Sequence, residues 1–301
     1  MFANRSRASL ALQIARAAVP PAALGVLVLV VSACEAQNRT ATRATAPEAA
    51  SLTSETDDGT YFGPSVPLNP GAARTYVMIE RGVPTEIGVE LNEGALKGLP
   101  TTGEQDGHHN MQHMMETAWD LPLPSQAATT AYKSVYFGWM PFGHKPPYDR
   151  PHFDFHFYVV PTADRLAIDR ADPQYLDKAV TLPSQEYWPA RYLPLNILLP
   201  TAPIDSLAVP KMGLHWLDLA SPELNGAEFR YTLFYGSWNG RIIFDEPMIT
   251  KAVLESRESV NVTLPPAARY ASEGLRAGGY RVYYDESTDR HRVALTQLAS
   301  R

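Results

Sequence analysis

His152, Asp154, His156 and Tyr158 stand two apart in the stretch Pro151-His152-Phe153-Asp154-Phe155-His156-Phe157-Tyr158, with Phe153, Phe155 and Phe157 between them. Side chains of a β-strand point alternately to opposite faces, whereas a helix would spread the three rings around its cylinder, so the spacing predicts a strand. One face is then all phenylalanine, and burying such rings removes a large apolar area from water. The other face carries imidazole, carboxylate, imidazole and phenol in a row. Imidazole nitrogen and carboxylate oxygen are the donors that hold a divalent transition metal.

Two later blocks add donors of the same kind: His215 in Met212-Gly213-Leu214-His215-Trp216, and Glu246 in Asp245-Glu246-Pro247-Met248-Ile249. Seven of the eight histidines lie between positions 108 and 215, a clustering that a scatter of solvated surface histidines would not give. Strand geometry limits which of them can share an ion. Residues two apart are separated by about 6.5 Å and residues four apart by about 13 Å, so His152 and His156 meet on one ion only if the strand bends or bulges. The economical set is His152, His156 and His215 with Glu246 as the carboxylate. Asp154 is then a further ligand or orients a histidine, and His144 is a reserve ligand. Zinc is the expected ion, with copper or manganese as alternatives. The competing structural reading is a buried hydrogen-bond network that stabilises a sheet.

A second cluster, His108-His109-Asn110-Met111-Gln112-His113-Met114-Met115, places His109 and His113 on one face if it is helical. Thioethers beside imidazoles suit Cu(I). The same residues equally describe a helix start, with solvated histidines and methionines filling core gaps.

Around these residues the chain reads as strands and turns. Hairpins are expected from 76–80 with 86–91 across Arg81-Gly82-Val83-Pro84, and from 229–235 with 241–244 across Ser237-Trp238-Asn239-Gly240. A tail pair, 280–284 with 292–298, turns around 286–289. Segments 119–124 and 132–140 are further strands, and Asn92 is placed to cap a short helix over 92–99. Segment 163–200, rich in Pro, Tyr and Trp, reads as a long packed connection with a helix near 173–179, forming a lid or a contact surface. The fold class is mainly β, an antiparallel barrel or sandwich with a few short helices.

Twenty-six prolines and nineteen glycines favour short elements, and a formal charge of −6 without a basic cluster excludes a nucleic-acid partner. Arg5, Arg7 and Arg16 precede an apolar run over 22–31 that ends in Val31-Ser32-Ala33-Cys34. The run is short for a transmembrane helix, which needs about 20 residues. Small residues directly before the sole cysteine are similar to a bacterial lipobox, with Cys34 as the lipidated residue. The organisation expected is a lipoprotein signal peptide at 1–33, a disordered tether at 34–60 and one β-rich domain at 61–301. Loss of the leader's three arginines would take the charge from −6 to −9. One cysteine also rules out an internal disulfide or a thiolate cage.

The blocks Gly143-His144 to Pro146, 151–158, 212–216, Asp218, 221–226, Tyr235-Gly236, Gly240, 246–250 and the tail hairpin together resemble an uncharacterised bacterial domain family named after a Thermus protein. The resemblance implies a fold and metal-binding chemistry without naming a reaction. Lys145 stands where an acidic residue is expected for that family. The three-His, one-Glu donor set is similar to that of cupin barrels, although the spacing differs. No Gly-x-Ser-x-Gly elbow, P-loop or dinucleotide fingerprint occurs. The expected function is a membrane-anchored envelope protein with a His/carboxylate metal site. A cupin-like metalloenzyme with an open coordination position and a homo-oligomeric assembly module are the alternatives.

Overall fold

Stretch His152–Tyr158 is a strand, and both of its faces are buried. The computed structural model describes residues 57–68, 70–99 and 117–301. Cys34, the 34–60 tether up to residue 56, His109 and His113 lie outside these described residues. In chain order the strands are β1 (Gly59–Phe62), β2 (Val66–Leu68), β3 (Gly71–Glu80), β4 (Val83–Asn92), β5 (Thr117–Leu121), β6 (Ser134–Met140), β7 (His152–Tyr158), β8 (Tyr192–Pro194) and β9 (Ala208–Val209). They continue as β10 (Gly213–Asp218), β11 (Tyr231–Trp238), β12 (Arg241–Thr250), β13 (Val260–Thr263), β14 (Gly279–Asp285) and β15 (Arg290–Thr296).

These strands form two antiparallel sheets. The first runs β1-β3-β4-β15-β14-β13, with β2 on β3, and the second runs β5-β6-β7-β12-β11-β10-β8, with β9 on β10. Neither order closes on itself, so the architecture is a sandwich and not a barrel. The expected hairpins are all present, although β11 starts at Tyr231 where 229 was expected and β15 ends at Thr296 where 298 was expected. Asn239 and Gly240 take φ of 45° and 78° at the β11–β12 turn, the left-handed pair that matches strand twist in a two-residue hairpin. Asn92 caps a one-turn helix at Glu93–Leu96, its side-chain oxygen accepting from the Ala95 amide at 3.0 Å.

Alternation along each strand builds the core. Phe153, Phe155 and Phe157 point inward and have no exposed surface, packing in one cluster with Val77, Ile87, Val89, Val293 and Leu295 of the first sheet. Phe137 stacks on Phe153 with centroids 5.3 Å apart and lies 4.9 Å from Phe155. Each such ring contributes roughly 2–3 kcal/mol by burial alone.

The opposite face of the second sheet is covered by the connection between β7 and β10. Its short helices are α1 (Thr162–Leu166), α2 (Tyr175–Val180), α3 (Leu195–Leu198) and α4 (Ile204–Leu207). Ile168, Tyr175 and Ala179 pack on Tyr158 and Phe244, while Leu195 and Leu207 pack with Leu217, Phe234 and Met248. Arg165 of α1 is buried and donates to Asp120 of β5 at 2.5 Å, with its guanidinium 4.5 Å from the centre of the Tyr136 ring. The polar face of β7 therefore looks into a covered layer, and the cover includes the 163–200 segment expected to be a lid or a contact surface and continues beyond it into α4.

Candidate metal centre

Backbone register brings the donors of separate blocks together. Asp245 pairs with Phe157 and Met248 with Asp154, which places Glu246 opposite His156 on the same face. His215 of β10 is opposite Gly236 of β11, and Gly236 is opposite Phe244 of β12. A Cβ at Gly236 would stand 2.1 Å from the Phe244 ring. Without it, that ring lies over β11 and packs against both imidazoles, 5.0 Å from His156 and 5.5 Å from His215 between centroids. Gly236 thus leaves the space that the Phe244 ring fills, against the imidazoles of both His156 and His215.

The donors gather into two triads, His144 with His152 and Asp154, and His156 with His215 and Glu246. Asp154 Oδ1 is 3.1 Å from His152 Nε2, and its Oδ2 is 3.4 Å from His144 Nε2. Glu246 Oε1 is 3.1 Å from His156 Nε2, and its Oε2 is 3.5 Å from His215 Nε2. The pairing along β7 with β6 is continuous from Ser134 to Met140, without a bulge. Straight strand geometry therefore sends His152 and His156 to different triads, about 13 Å apart at their Cα atoms. Of the expected set, His156, His215 and Glu246 meet at one point. His152 and Asp154 meet His144 at another.

Three features suit a metal. Zinc–nitrogen and zinc–oxygen bonds of 2.0–2.2 Å in a tetrahedron put neighbouring ligand atoms about 3.3–3.5 Å apart, and one donor atom from each residue of a triad lies within 4.8 Å of the others, a spacing that small side-chain shifts bring onto one ion. His152 Nε2, Asp154 Oδ1, His156 Nε2 and Glu246 Oε2 are all buried and make no hydrogen bond of acceptable geometry. Such an atom costs about 1–3 kcal/mol or more unless something else engages it. Finally, the far nitrogens of the two β7 imidazoles are fixed. His152 Nδ1 donates to the Arg150 carbonyl at 2.6 Å and His156 Nδ1 to the Tyr136 carbonyl at 3.3 Å. A carbonyl only accepts, so in the neutral ring the lone pair is on Nε2, facing the carboxylate. That tautomer is the one a metal ligand needs.

Charge differs between the imidazoles. Burial pushes the His215 pKa down to about 4 against the opposing pull of Glu246, so this ring is neutral at pH 7. Burial also depresses His152 and His156, but the Asp154 and Glu246 carboxylates outweigh it and hold both above the usual histidine value. Burial raises Asp154, yet the facing His152 and His144 keep it well below the usual carboxylate range.

His144 is held by a loop closed on itself. Its amide donates to the Tyr148 carbonyl at 2.8 Å, and the Tyr148 amide donates back to Lys145 at 3.0 Å. Gly143 takes φ +68°, and a Cβ there would stand 2.4 Å from the same Tyr148 carbonyl. Both triads border a cavity of about 380 Å³ walled by Leu195, Leu198, Leu199, Leu207 and Leu217, with Lys145 also on its lining. The sequence signalled the donors but not this cavity, because α3 and α4 are too short to show periodicity. His291 is elsewhere, in the first sheet, donating to Glu93 at 3.0 Å.

Fold and site thus describe an antiparallel β-sandwich with two His–carboxylate triads on the helix-covered face of one sheet. Residues 80–139 match the model of the TTHB210-like family, described as hypothetical protein TTHB210, an uncharacterised family named after a Thermus protein. The matched stretch includes β4, β5 and most of β6 and ends before His144, so it contains none of the six triad residues. Neither a curated protein nor a solved structure matches the chain.

Proposed function

We propose that this chain is a lipid-anchored protein of the bacterial envelope that binds a divalent transition metal, zinc foremost, on the covered face of its second sheet. The observation that carries the metal is the pair of buried, unbonded ligand-type atoms in each triad, His152 Nε2 with Asp154 Oδ1 and His156 Nε2 with Glu246 Oε2, in clusters whose imidazole–carboxylate separations are 3.1 to 3.5 Å. The anchor rests on Cys34 and the apolar run before it. Elemental analysis of protein purified without added chelator is expected to find zinc, copper or manganese in stoichiometric amount. Protein that takes up no divalent ion on titration would leave the hydrogen-bond network as the better account. Cys34→Ser is expected to move the protein from the membrane to the soluble fraction, and unchanged fractionation would sink the anchor.

The cavity favours a metalloenzyme as the second reading. Three protein donors leave a fourth tetrahedral position for water or substrate, the pattern of catalytic as opposed to structural zinc. A bound ion would polarise a substrate oxygen or lower the pKa of water there. The chain's own contribution would be the neutral His215 ligand, the Nε2 tautomer of His156, and leucine walls that keep bulk water from the ligand. Here the discriminating measurement is exchangeable-ligand binding, such as azide perturbing the spectrum of Co(II)-substituted protein.

A further inference from the structure

The two triads are copies of one plan. In each, a carboxylate faces two imidazole Nε2 atoms, at 3.1 and 3.4 Å around Asp154 and at 3.1 and 3.5 Å around Glu246. Each contains a strand histidine anchored through Nδ1 to a backbone carbonyl, and each leaves the Nε2 of that histidine, the Nδ1 of its second histidine and one carboxylate oxygen buried without a hydrogen bond. Whatever ion one triad can hold, the other can hold as well. No carboxylate is shared between the triads, so they are separate sites. Asp154 and His156 are neighbours on one face of β7, about 6.5 Å apart, and both line the same cavity.

Charge and shape then define what the cavity receives. Asp154 and Glu246 contribute −2, and neutral imidazoles contribute nothing. One divalent ion would leave this floor neutral, while two make it +2, with Lys145 adding a further positive charge on the lining. Above the floor the wall is aliphatic. A volume of about 380 Å³ holds on the order of a dozen heavy atoms at ~30 Å³ each. We infer that the two triads hold two divalent ions, and that together they receive the oxyanion head of a medium-chain amphiphile whose apolar tail lies along the leucine wall. This rests on the metal reading above and extends it to ion number and ligand class.

The test counts zinc per chain after saturation and removal of the excess, and then titrates the loaded protein with octanoate, acetate and octan-1-ol by calorimetry. Two zinc ions per chain are expected, falling to one in His144→Ala, which empties only the Asp154 triad, and to one in His215→Ala, which empties only the other. Wild type with one ion, or His144→Ala with an unchanged count, overturns the two-ion inference while leaving the metal reading intact. No zinc at all overturns the metal reading itself. Octanoate is expected to bind at least about tenfold more tightly than acetate, because each buried methylene adds to affinity. It should also bind about tenfold more tightly than octan-1-ol, which lacks the charge, and lose that advantage in zinc-free protein. Equal affinity for octanoate and acetate overturns the tail, and equal affinity for octanoate and octan-1-ol overturns the oxyanion head.

Discussion

Glu246 is opposite His156 on the neighbouring strand and turns its two oxygens to different imidazoles, Oε1 to His156 and Oε2 to His215. Replacing it by Gln keeps the shape but removes the charge and one acceptor. Glu246→Gln is expected to lower metal affinity at this triad by about 10–100-fold or more, since even outer hydrogen-bond partners of ligands are worth that much. Competitive titration with a chromophoric chelator measures it. An affinity equal to wild type would remove Glu246 from the ligand set.

The neighbouring acid has the opposite fate. Alternation turns Asp245 to the inter-sheet core, where it accepts from Tyr132 at 2.5 Å and from Arg276 at 2.7 Å. Arg276 is 3% exposed, so no solvent can replace its partner. Asp245→Ala is expected to destabilise the fold by about 3–5 kcal/mol, the cost of leaving a buried charge unpaired. It should leave metal stoichiometry unchanged. Denaturant unfolding together with elemental analysis separates the two roles, and a lost ion with unchanged stability would reverse them.

Much of this was legible in the sequence because a strand has a period of two. PHFDFHFY states which residues face the core and which face the site, and Asp245-Glu246 divide by the same rule. The split into two triads departs from the single site expected: uniting His152 and His156 on one ion needed a bend or bulge, and the pairing of β7 with β6 has no bulge. His144 was legible only as a reserve ligand: loop 141–151 has no periodicity, and its course depends on the Gly143 turn and the Tyr148 carbonyl. Gly236 gave no signal of its own, because its role lies in side chains from two other strands. The cavity was hidden for a similar reason, with walls that come from helices of only four residues.

Metal-free and metal-loaded protein should respond to pH in opposite directions. In the metal-free fold, His152 and His156 titrate above their unfolded value of 6.5. Their contribution is complete below pH 6.5 and is lost as pH rises through the folded values. His215, depressed to about 4, costs stability as pH falls from 6.5 to 4. Asp154, also depressed, adds stability that is lost only in stronger acid. The site's contribution therefore peaks near pH 6.5 and declines above it. With zinc in excess, the ion competes with protons for the same nitrogens, so stabilisation grows over that interval. Thermal unfolding at pH 6.5 and 8.5, with chelator and with zinc, measures this. Parallel changes in the two series would show that zinc does not compete for these imidazoles.

Gly236 offers the sharpest test of how the site is assembled. Adding one methyl group there sets a carbon 2.1 Å from the Phe244 ring, so the ring must move. Phe244 is fully buried and packs against His156, His215 and Tyr158. Overpacking of this kind costs about 1–3 kcal/mol. The displaced ring would push on both imidazoles of the Glu246 triad, while His144, His152 and Asp154 lie beyond its reach. Gly236→Ala is therefore expected to destabilise the fold within that range and to weaken metal binding at the Glu246 triad alone. The double variant Gly236→Ala with Phe244→Leu, which trims the ring, should recover part of the affinity. Full affinity in the single variant would mean that the position of the Phe244 ring does not govern the His156 and His215 imidazoles.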